Sequence, residues 1–89
     1  MRIEFDSAED RTNRAKHGLP LAFGAQVLAD ADHLLVATTR EHDGEERFKA
    51  VGRVEGRIYT AVFTRRGAAI RFISVRRSNG NEEKAYREG

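Results

Sequence analysis

The sequence predicts an α+β domain in which an N-terminal strand and two helices pack on an antiparallel sheet. Two observations favour this fold class. Capping residues and helical apolar spacing occupy the first third of the chain, and short strands joined by tight turns occupy most of the rest. A length of 89 residues suits one hydrophobic core, so residues 1–89 are expected to form a single domain.

The first elements are a short strand over Ile3–Asp6 and a helix that ends at His17. Asp6 or Ser7 can cap this helix, because a short polar side chain accepts hydrogen bonds from the first free backbone N–H groups. Gly18 is expected to end it, since glycine adopts the left-handed conformation at little cost.

A second helix is predicted to begin at Pro20, because proline is favoured at a first helical position. Its spacing of apolar residues predicts a face that packs on the sheet. That face consists of Leu21, Phe23, Ala25, Val27 and Leu28.

Four strands follow, predicted at Leu34–Thr38, Phe48–Val54, Arg57–Thr64 and Ala69–Arg77. The third is apolar on both faces and should lie at the centre of the sheet. Glu55-Gly56 favours a hairpin between the second and third strands. The polar segment between the first two, residues 39–46, is predicted to be a loop.

Alternation along the last strand assigns its side chains to two faces. Ile70, Phe72 and Ser74 should share one face, and Arg71, Ile73 and Val75 the other. A short C-terminal helix is then expected from Asn79 or Asn81 to Glu88.

The positive charge is concentrated in one part of the chain. Residues 47–77 carry nine basic and one acidic group, a net charge of +8, whereas residues 19–46 carry a net charge of −5. Thirteen of the sixteen cationic residues are arginine, whose planar guanidinium suits bidentate contact with phosphate or carboxylate. An arginine-rich genome would produce the same bias without any functional cause.

Several classes of site and location are disfavoured by the composition. The chain has no cysteine, so disulfides, thiolate metal sites and cysteine nucleophiles are excluded. Its three histidines do not form a metal-ligand spacing, so no metal or other cofactor is expected. No apolar run approaches the roughly 18 residues that a membrane span needs, and a cytoplasmic protein without membrane contact is expected.

The ionisable residues that remain offer proton transfer and electrostatic stabilisation of phosphate, which suits RNA cleavage. Candidates for the acid and the base are Lys16, His17, Glu45, Glu46 and Tyr86. Candidates for holding negative charge are Arg47, Arg65, Arg71, Arg76 and Arg77. Each candidate also has a plain structural explanation as a solvated loop, a helix end or an ion pair. The residues alone therefore indicate an α+β domain that binds an anion.

The order of short motifs along the chain is more specific than any one of them. The motifs are Phe5-Asp6, Asn13 with Lys16-His17-Gly18, a helix ending in Asp30, Gly44-Glu45-Glu46-Arg47-Phe48, Gly52, Thr64-Arg65, and Arg71 to Arg77. From Ile3 to Tyr86 this order resembles the BrnT family, the toxins of BrnT/BrnA type II toxin–antitoxin systems.

The resemblance implies a RelE-like fold and a ribonuclease that arrests translation without a metal. The residues to which it gives a catalytic role are Lys16, His17, Glu46, Arg65, Arg76 and Tyr86, and those expected to bind substrate are Arg47, Arg71 and Arg77. The implied partners are RNA, free or on the ribosome, and a BrnA-like antitoxin. That antitoxin has a ribbon-helix-helix part that binds operator DNA. The toxin itself is expected to contact operator DNA only through the antitoxin.

One alternative stays open at this point. The chain could be a catalytically silent member whose basic surface binds an antitoxin or nucleic acid and acts only in regulation. Growth arrest on expression in a bacterial host, lost when the neighbouring gene product is co-expressed, would support the toxin. If Arg76 is a catalytic donor, it should matter more to activity than to stability. Arg53, in the neighbouring basic strand, is the matched control.

Overall fold

The computed structural model describes residues 2–42 and 45–89, without the side chains of residues 39–45. Its elements, in chain order, are β1 (Arg2–Glu4), α1 (Ser7–His17), a 3-10 turn (Leu21–Phe23), α2 (Gly24–Ala29), β2 (Leu34–His42), β3 (Glu45–Val54), β4 (Arg57–Arg66), β5 (Ala69–Arg77) and α3 (Gly80–Glu88). Within the described chain, no helix is both long and apolar enough to cross a membrane.

The five strands form one sheet in the order β1-β5-β4-β3-β2, so β4 is central, as predicted. The predicted antiparallel sheet is confirmed for β2 to β5, but the sheet is mixed because β1 runs parallel to β5 at one edge. The chain leaves β1 at Glu4, opposite Arg71, and continues into α1, which packs against β5. β1 is only three residues long and pairs with the first part of β5. Helix α1, which follows it, covers the rest of this edge of β5.

Both ends of α1 are as predicted. The Asp6 carboxylate accepts hydrogen bonds from the backbone N–H groups of Ala8, at 2.7 Å, and Glu9, at 3.4 Å. Gly18 ends the helix in the left-handed conformation, with φ of 71°. The capping chemistry of the sequence therefore fixes this helix locally.

The second helix differs from its prediction. Pro20 precedes a 3-10 turn, and the α-helix begins only at Gly24. A methyl group at Gly24 would lie 2.4 Å from the Phe72 ring, so glycine lets this segment approach the sheet closely. This segment and the sheet share a core, which consists of Leu21, Val27, Ala50, Ala61, Phe63, Phe72 and Val75.

The strands confirm the predicted hairpin and correct the predicted loop. Glu55 and Gly56 both adopt positive φ, 49° and 82°, as the turn between β3 and β4 requires. Residues 39–46 were expected to be a loop, but β2 reaches His42 and β3 begins at Glu45. The sequence did not predict these parts of β2 and β3 because their residues are polar. Strand pairing through the backbone does not need apolar side chains. Gly44 lies outside the described residues.

A bulge in β5 overturns the predicted alternation. Phe63 pairs with Phe72, but the preceding Val62 pairs with Ser74, so Ile73 is an extra residue. Phe72 and Val75 are both fully buried on the face that packs against α2. Alternation fails because one inserted residue exchanges the two faces for the rest of the strand.

Candidate functional site

The sheet face opposite α2 carries a row of cationic side chains and is called the basic face below. Directly opposed residues of neighbouring strands share a face, so the register assigns the members. Thr64 pairs with Arg47 on one side and Arg71 on the other. Val62 pairs with Lys49, and Thr60 pairs with Arg76. The basic face is defined here as the four cations beside Val62 and the threonines of β4, namely Arg47, Lys49, Arg71 and Arg76; Arg53 and Arg66 lie nearer the strand ends on the same side of the sheet.

The bulge at Ile73 explains why Arg71 and Arg76, two of the three arginines of β5, lie on this face. Arg71 and Arg76 are five positions apart, and strict alternation would put them on opposite faces. With one extra residue between them, Arg71 pairs with Thr64 and Arg76 pairs with Thr60. The bulge thereby places Arg71 and Arg76 on the same side of the sheet, while Arg77 lies on the opposite side.

Helix α3 covers one end of the basic face and presents Glu82 to it. The two Arg76 Nη atoms donate to the Glu82 carboxylate at 2.7 and 2.8 Å, in a bidentate pair. Lys49 Nζ lies 3.1 Å from the same carboxylate. Thr60 Oγ1 donates at 3.0 Å and the backbone N–H of Asn79 at 2.9 Å. Five donors from three elements and the loop before α3 thus converge on a side chain that is 6% exposed.

This arrangement keeps Glu82 ionised. Burial alone would raise the pKa of the Glu82 carboxyl, but hydrogen bonds from Arg76, Asn79, Lys49 and Thr60 outweigh it and lower the pKa to about 2. The hydrogen bonds to Glu82 in turn raise the pKa of the Arg76 guanidinium. Arg76 was expected from the sequence to be a charge-stabilising donor, and in the fold its guanidinium also holds α3 to the sheet.

The other end of the basic face contains two polar atoms without partners. Thr64 is 1% exposed, and neither its hydroxyl nor the Nε of Arg47 has a hydrogen-bond partner among the described residues. Arg71, on the far side of Thr64, makes two long ion pairs with described residues, 3.9 Å to Asp6 and 3.7 Å to Glu9. This end therefore holds donors to which no described residue provides an acceptor.

Lys16 and His17 lie at the C-terminal end of α1, at the edge of β5. They line a cleft of about 360 Å³ together with Ser74, Ile73, Asn13, Thr12, Glu9 and Ala8. The Asn13 side chain binds β5, donating to the Val75 carbonyl at 2.8 Å and accepting from the Val75 N–H at 3.1 Å. Ser74, two residues before Arg76, is paired with Val62 on the basic face. The cleft that Ser74 lines therefore opens beside that face.

Tyr86 lies away from this cleft. Its hydroxyl donates to Asp30 Oδ2 at 2.5 Å, and the backbone N–H of Arg53 donates to the same oxygen at 2.7 Å. The hydrogen bond to the Asp30 carboxylate, with desolvation, raises the pKa of the Tyr86 phenol. The hydrogen bond from Tyr86 lowers the pKa of Asp30. Tyr86 therefore links α3 to the loop after α2.

Three further candidates lie away from the basic face. The Arg65 guanidinium stacks 4.9 Å from the centre of the Phe48 ring, and Arg77 lies 5.9 Å from that of Tyr59, both on the α2 side of the sheet. Alternation places Glu46 on that side as well, where it is exposed. The side chain of Glu45 lies outside those described.

The structure thus brings together part of the predicted set. Arg47, Arg71 and Arg76 share the basic face, and Lys16 with His17 borders it. Sequence reasoning missed Lys49, Thr60, Thr64 and Glu82 as members or contacts of this face. Arg47 and Lys49 two positions apart in a strand were a usable signal, but the position of Glu82 depends on how α3 folds back. Among the side chains that the structure describes, no group of three His, Asp or Glu could hold a metal ion.

Comparison with protein families finds a match. Residues 5–82 match the family described as the ribonuclease toxin, BrnT, of type II toxin–antitoxin systems. A comparison with curated proteins finds no match. The matched segment runs from the residue before the cap of α1 to Glu82 in α3, and so includes the whole basic face. The chain therefore belongs to the BrnT family of ribonuclease toxins of type II toxin–antitoxin systems.

Proposed function

We propose that this protein is the toxin of a type II toxin–antitoxin pair, has a RelE-like fold, and inhibits translation by cleaving RNA without a metal ion. The observation that carries the proposal is the row of cationic side chains on the basic face, in a chain of a ribonuclease toxin family. Cations along neighbouring strands suit a phosphodiester backbone, and fixed donors can stabilise the charge that develops during cleavage.

The reaction we propose uses the 2′-hydroxyl of the RNA as the nucleophile. A base removes its proton, the 2′-oxygen bonds to the adjacent phosphorus, and the bond to the 5′-oxygen breaks as an acid protonates that oxygen. The products are a 2′,3′-cyclic phosphate and a 5′-hydroxyl. Proton transfer is then a task for Lys16 and His17, whose cleft beside Ser74 supports this role. Arg76 and Lys49 would offset the negative charge, and Arg47 and Arg71 would bind the RNA backbone.

Other candidates receive less support from their contacts. Arg65 and Arg77 stack on aromatic rings of the opposite face, where they cannot act on the same phosphate as Arg76. The Tyr86 proton is engaged by Asp30, which suits a positioning role for α3. Glu46 remains a candidate only if RNA reaches around the edge of the sheet.

The protein partner we propose is a BrnA-like antitoxin with a ribbon-helix-helix part that binds operator DNA in the cytoplasm. An acidic segment of this antitoxin would lie on the basic face and exclude RNA from it. Charge complementarity of this kind speeds association and weakens as salt rises.

A second candidate function is favoured by one contact. Glu82 already binds Arg76 and Lys49, two of the four cations of the basic face. In a catalytically silent member, that neutralised end would leave the face to bind an antitoxin or nucleic acid without cleavage.

The experiment is incubation of the purified protein with RNA in excess EDTA, followed by identification of the product ends. Products with 5′-hydroxyl and 2′,3′-cyclic or 3′-phosphate ends are expected. Complete dependence of cleavage on a divalent ion would contradict the proposed chemistry. RNA binding without any cleavage, with or without added metal, would favour the silent module.

A further inference from the structure

The basic face has a second end, formed by Thr64 and its cross-strand neighbours, that differs from the end covered by Glu82. Thr60 and Thr64 are both buried residues of β4 on the same face, four positions apart. The Thr60 hydroxyl has two partners, Ser78 Oγ at 2.7 Å and Glu82 Oε1 at 3.0 Å. The Thr64 hydroxyl has none among the described residues.

The unpartnered atoms at this end require an acceptor. Arg47 Nε is buried and carries an N–H that can only donate, and Thr64 carries an O–H beside it in the strand register. Leaving a buried donor without an acceptor is unfavourable, so native proteins rarely do so without a ligand or a functional reason. One oxygen of an oxyanion, or two oxygens of the same anion, can accept from both atoms.

The charge around these atoms favours a negative ligand. Arg47 has no ion-pair partner among the described residues, so its full charge is available. Arg71 lies on the other side of Thr64, and its two ion pairs, at 3.7 and 3.9 Å, are too long for hydrogen bonds. The acidic side chains of Asp6 and Glu9 therefore offset Arg71 only in part.

We propose that Arg47 Nε–H and the Thr64 hydroxyl form a subsite for a phosphodiester oxygen of bound RNA, with Arg71 supplying charge from the neighbouring strand. This rests on the proposed function for the identity of the ligand as RNA, whereas the two buried donors without described partners and the nearby charge of Arg71 are what favour an oxyanion. The subsite lies at the Thr64 end of β4, away from the Arg76 end, so it binds a phosphate other than the one at Arg76. Thr64 is a binding residue without a proton-transfer role.

The test is a pair of variants on one strand, Thr64→Val and Thr60→Val. Valine preserves the shape of threonine and removes only the hydroxyl. Thr64→Val should melt at the temperature of the parent or above it, because a buried unpartnered hydroxyl is removed. Thr60→Val should melt lower, by about 4 °C or more, because its hydroxyl is hydrogen-bonded.

Affinity is then measured with a 2′-O-methyl RNA oligonucleotide, which has no 2′-hydroxyl nucleophile and stays intact. Thr64→Val should bind it about tenfold more weakly than the parent, as expected for one lost hydrogen bond to a charged group. In NMR spectra of the parent protein, the Arg47 Nε–H resonance should shift as the oligonucleotide is added. Unchanged affinity of Thr64→Val would overturn the subsite.

Inorganic phosphate is the second probe and separates the two sources of the anion. If millimolar phosphate shifts the Arg47 Nε–H signal and the oligonucleotide does not, the assignment to RNA is overturned. The proposed function is judged separately, by cleavage of ordinary RNA by the parent. If the parent cleaves RNA and Thr64→Val binds the oligonucleotide as tightly as the parent does, the subsite is refuted. The proposed ribonuclease activity is then unaffected.

Discussion

Asn13 takes the place of a strand partner for Val75, a residue 62 positions further along the chain. The two ends of its side-chain amide pair with the Val75 N–H, at 3.1 Å, and the Val75 carbonyl, at 2.8 Å. The amide nitrogen also donates to the Leu19 carbonyl at 2.8 Å. One side chain thereby attaches α1, which carries Lys16 and His17, to the strand that carries Arg76.

Replacing Asn13 by alanine should therefore destabilise the fold by about 2–4 kcal/mol, because three hydrogen bonds are lost and buried backbone groups are left unpaired. Thr12→Ala is the control, since Thr12 is exposed and bonds only within its helix. Urea unfolding measures both. An Asn13→Ala protein within about 0.5 kcal/mol of the parent would show that the edge contact does not hold α1.

Glu82 should give the protein a specific loss of stability in acid. Its pKa falls from an ordinary 4.5 to about 2 on folding, so its stabilising effect is complete above pH 4.5 and is lost as the pH falls towards 2. The contribution is on the order of 3 kcal/mol.

A comparison with Glu82→Gln isolates this effect from that of other carboxylates. The stability difference between the parent and the variant should be largest at neutral pH and should shrink between pH 4.5 and 2. Glu88→Gln, at an exposed position of the same helix, should follow the parent throughout. A pH-independent difference for Glu82→Gln would mean that the carboxylate is not held ionised by its donors.

Arg76 should affect stability as well as activity, which revises the expectation from sequence. Arg76→Ala leaves Glu82 buried with fewer donors and should cost about 2–4 kcal/mol. Adding Glu82→Ala should recover part of that loss, because the unpaired carboxylate is removed. Arg53→Ala should cost less than about 1 kcal/mol, since Arg53 is exposed and stacks 5.7 Å from the Tyr86 ring.

Cleavage by Arg76→Ala should be measured well below its melting temperature, where a fall of about two to three orders of magnitude is expected. Parental activity in a folded Arg76→Ala protein would remove Arg76 from the site and leave it as the anchor of α3.

Gly52 should be required for packing rather than for chemistry. A methyl group there would lie 2.5 Å from the Val27 carbonyl oxygen and 3.1 Å from Val27 Cγ1, so α2 would have to move away from β3. Gly52→Ala should therefore cost about 1–3 kcal/mol, measured by thermal unfolding. Gly80→Ala is the control, because no atom lies within 4 Å of the added methyl and alanine favours the helix. Equal stability of the two variants would contradict the close packing.

Much of the fold could be predicted because its signals are local. The Asp6 cap, the Gly18 stop and the Glu55-Gly56 turn each depend on a few neighbouring residues, and all three are confirmed. The parallel direction of β1 could not be predicted, since it follows from where α1 must lie against β5. The bulge at Ile73 was hidden because nothing in an alternating strand marks an extra residue.

The site was only partly predictable for the same reason. Arginines could be recognised by type and by motif order, but their division between two sheet faces depends on register and on the bulge. Arg65 and Arg77 therefore lie on the face opposite Arg76. The contacts of Glu82 with Arg76 and Lys49 join α3 to two strands, and no sequence spacing reveals them.

The central claim is that the basic face, and not the opposite face of the sheet, acts on RNA. The direct measurement is the rate of RNA cleavage in EDTA by Arg47→Gln and Arg57→Gln, which remove one positive charge from opposite faces. Arg47→Gln should cleave at least about tenfold more slowly than the parent, and Arg57→Gln should cleave within about twofold of it. Equal rates for the two variants, or a greater loss for Arg57→Gln, would contradict the account.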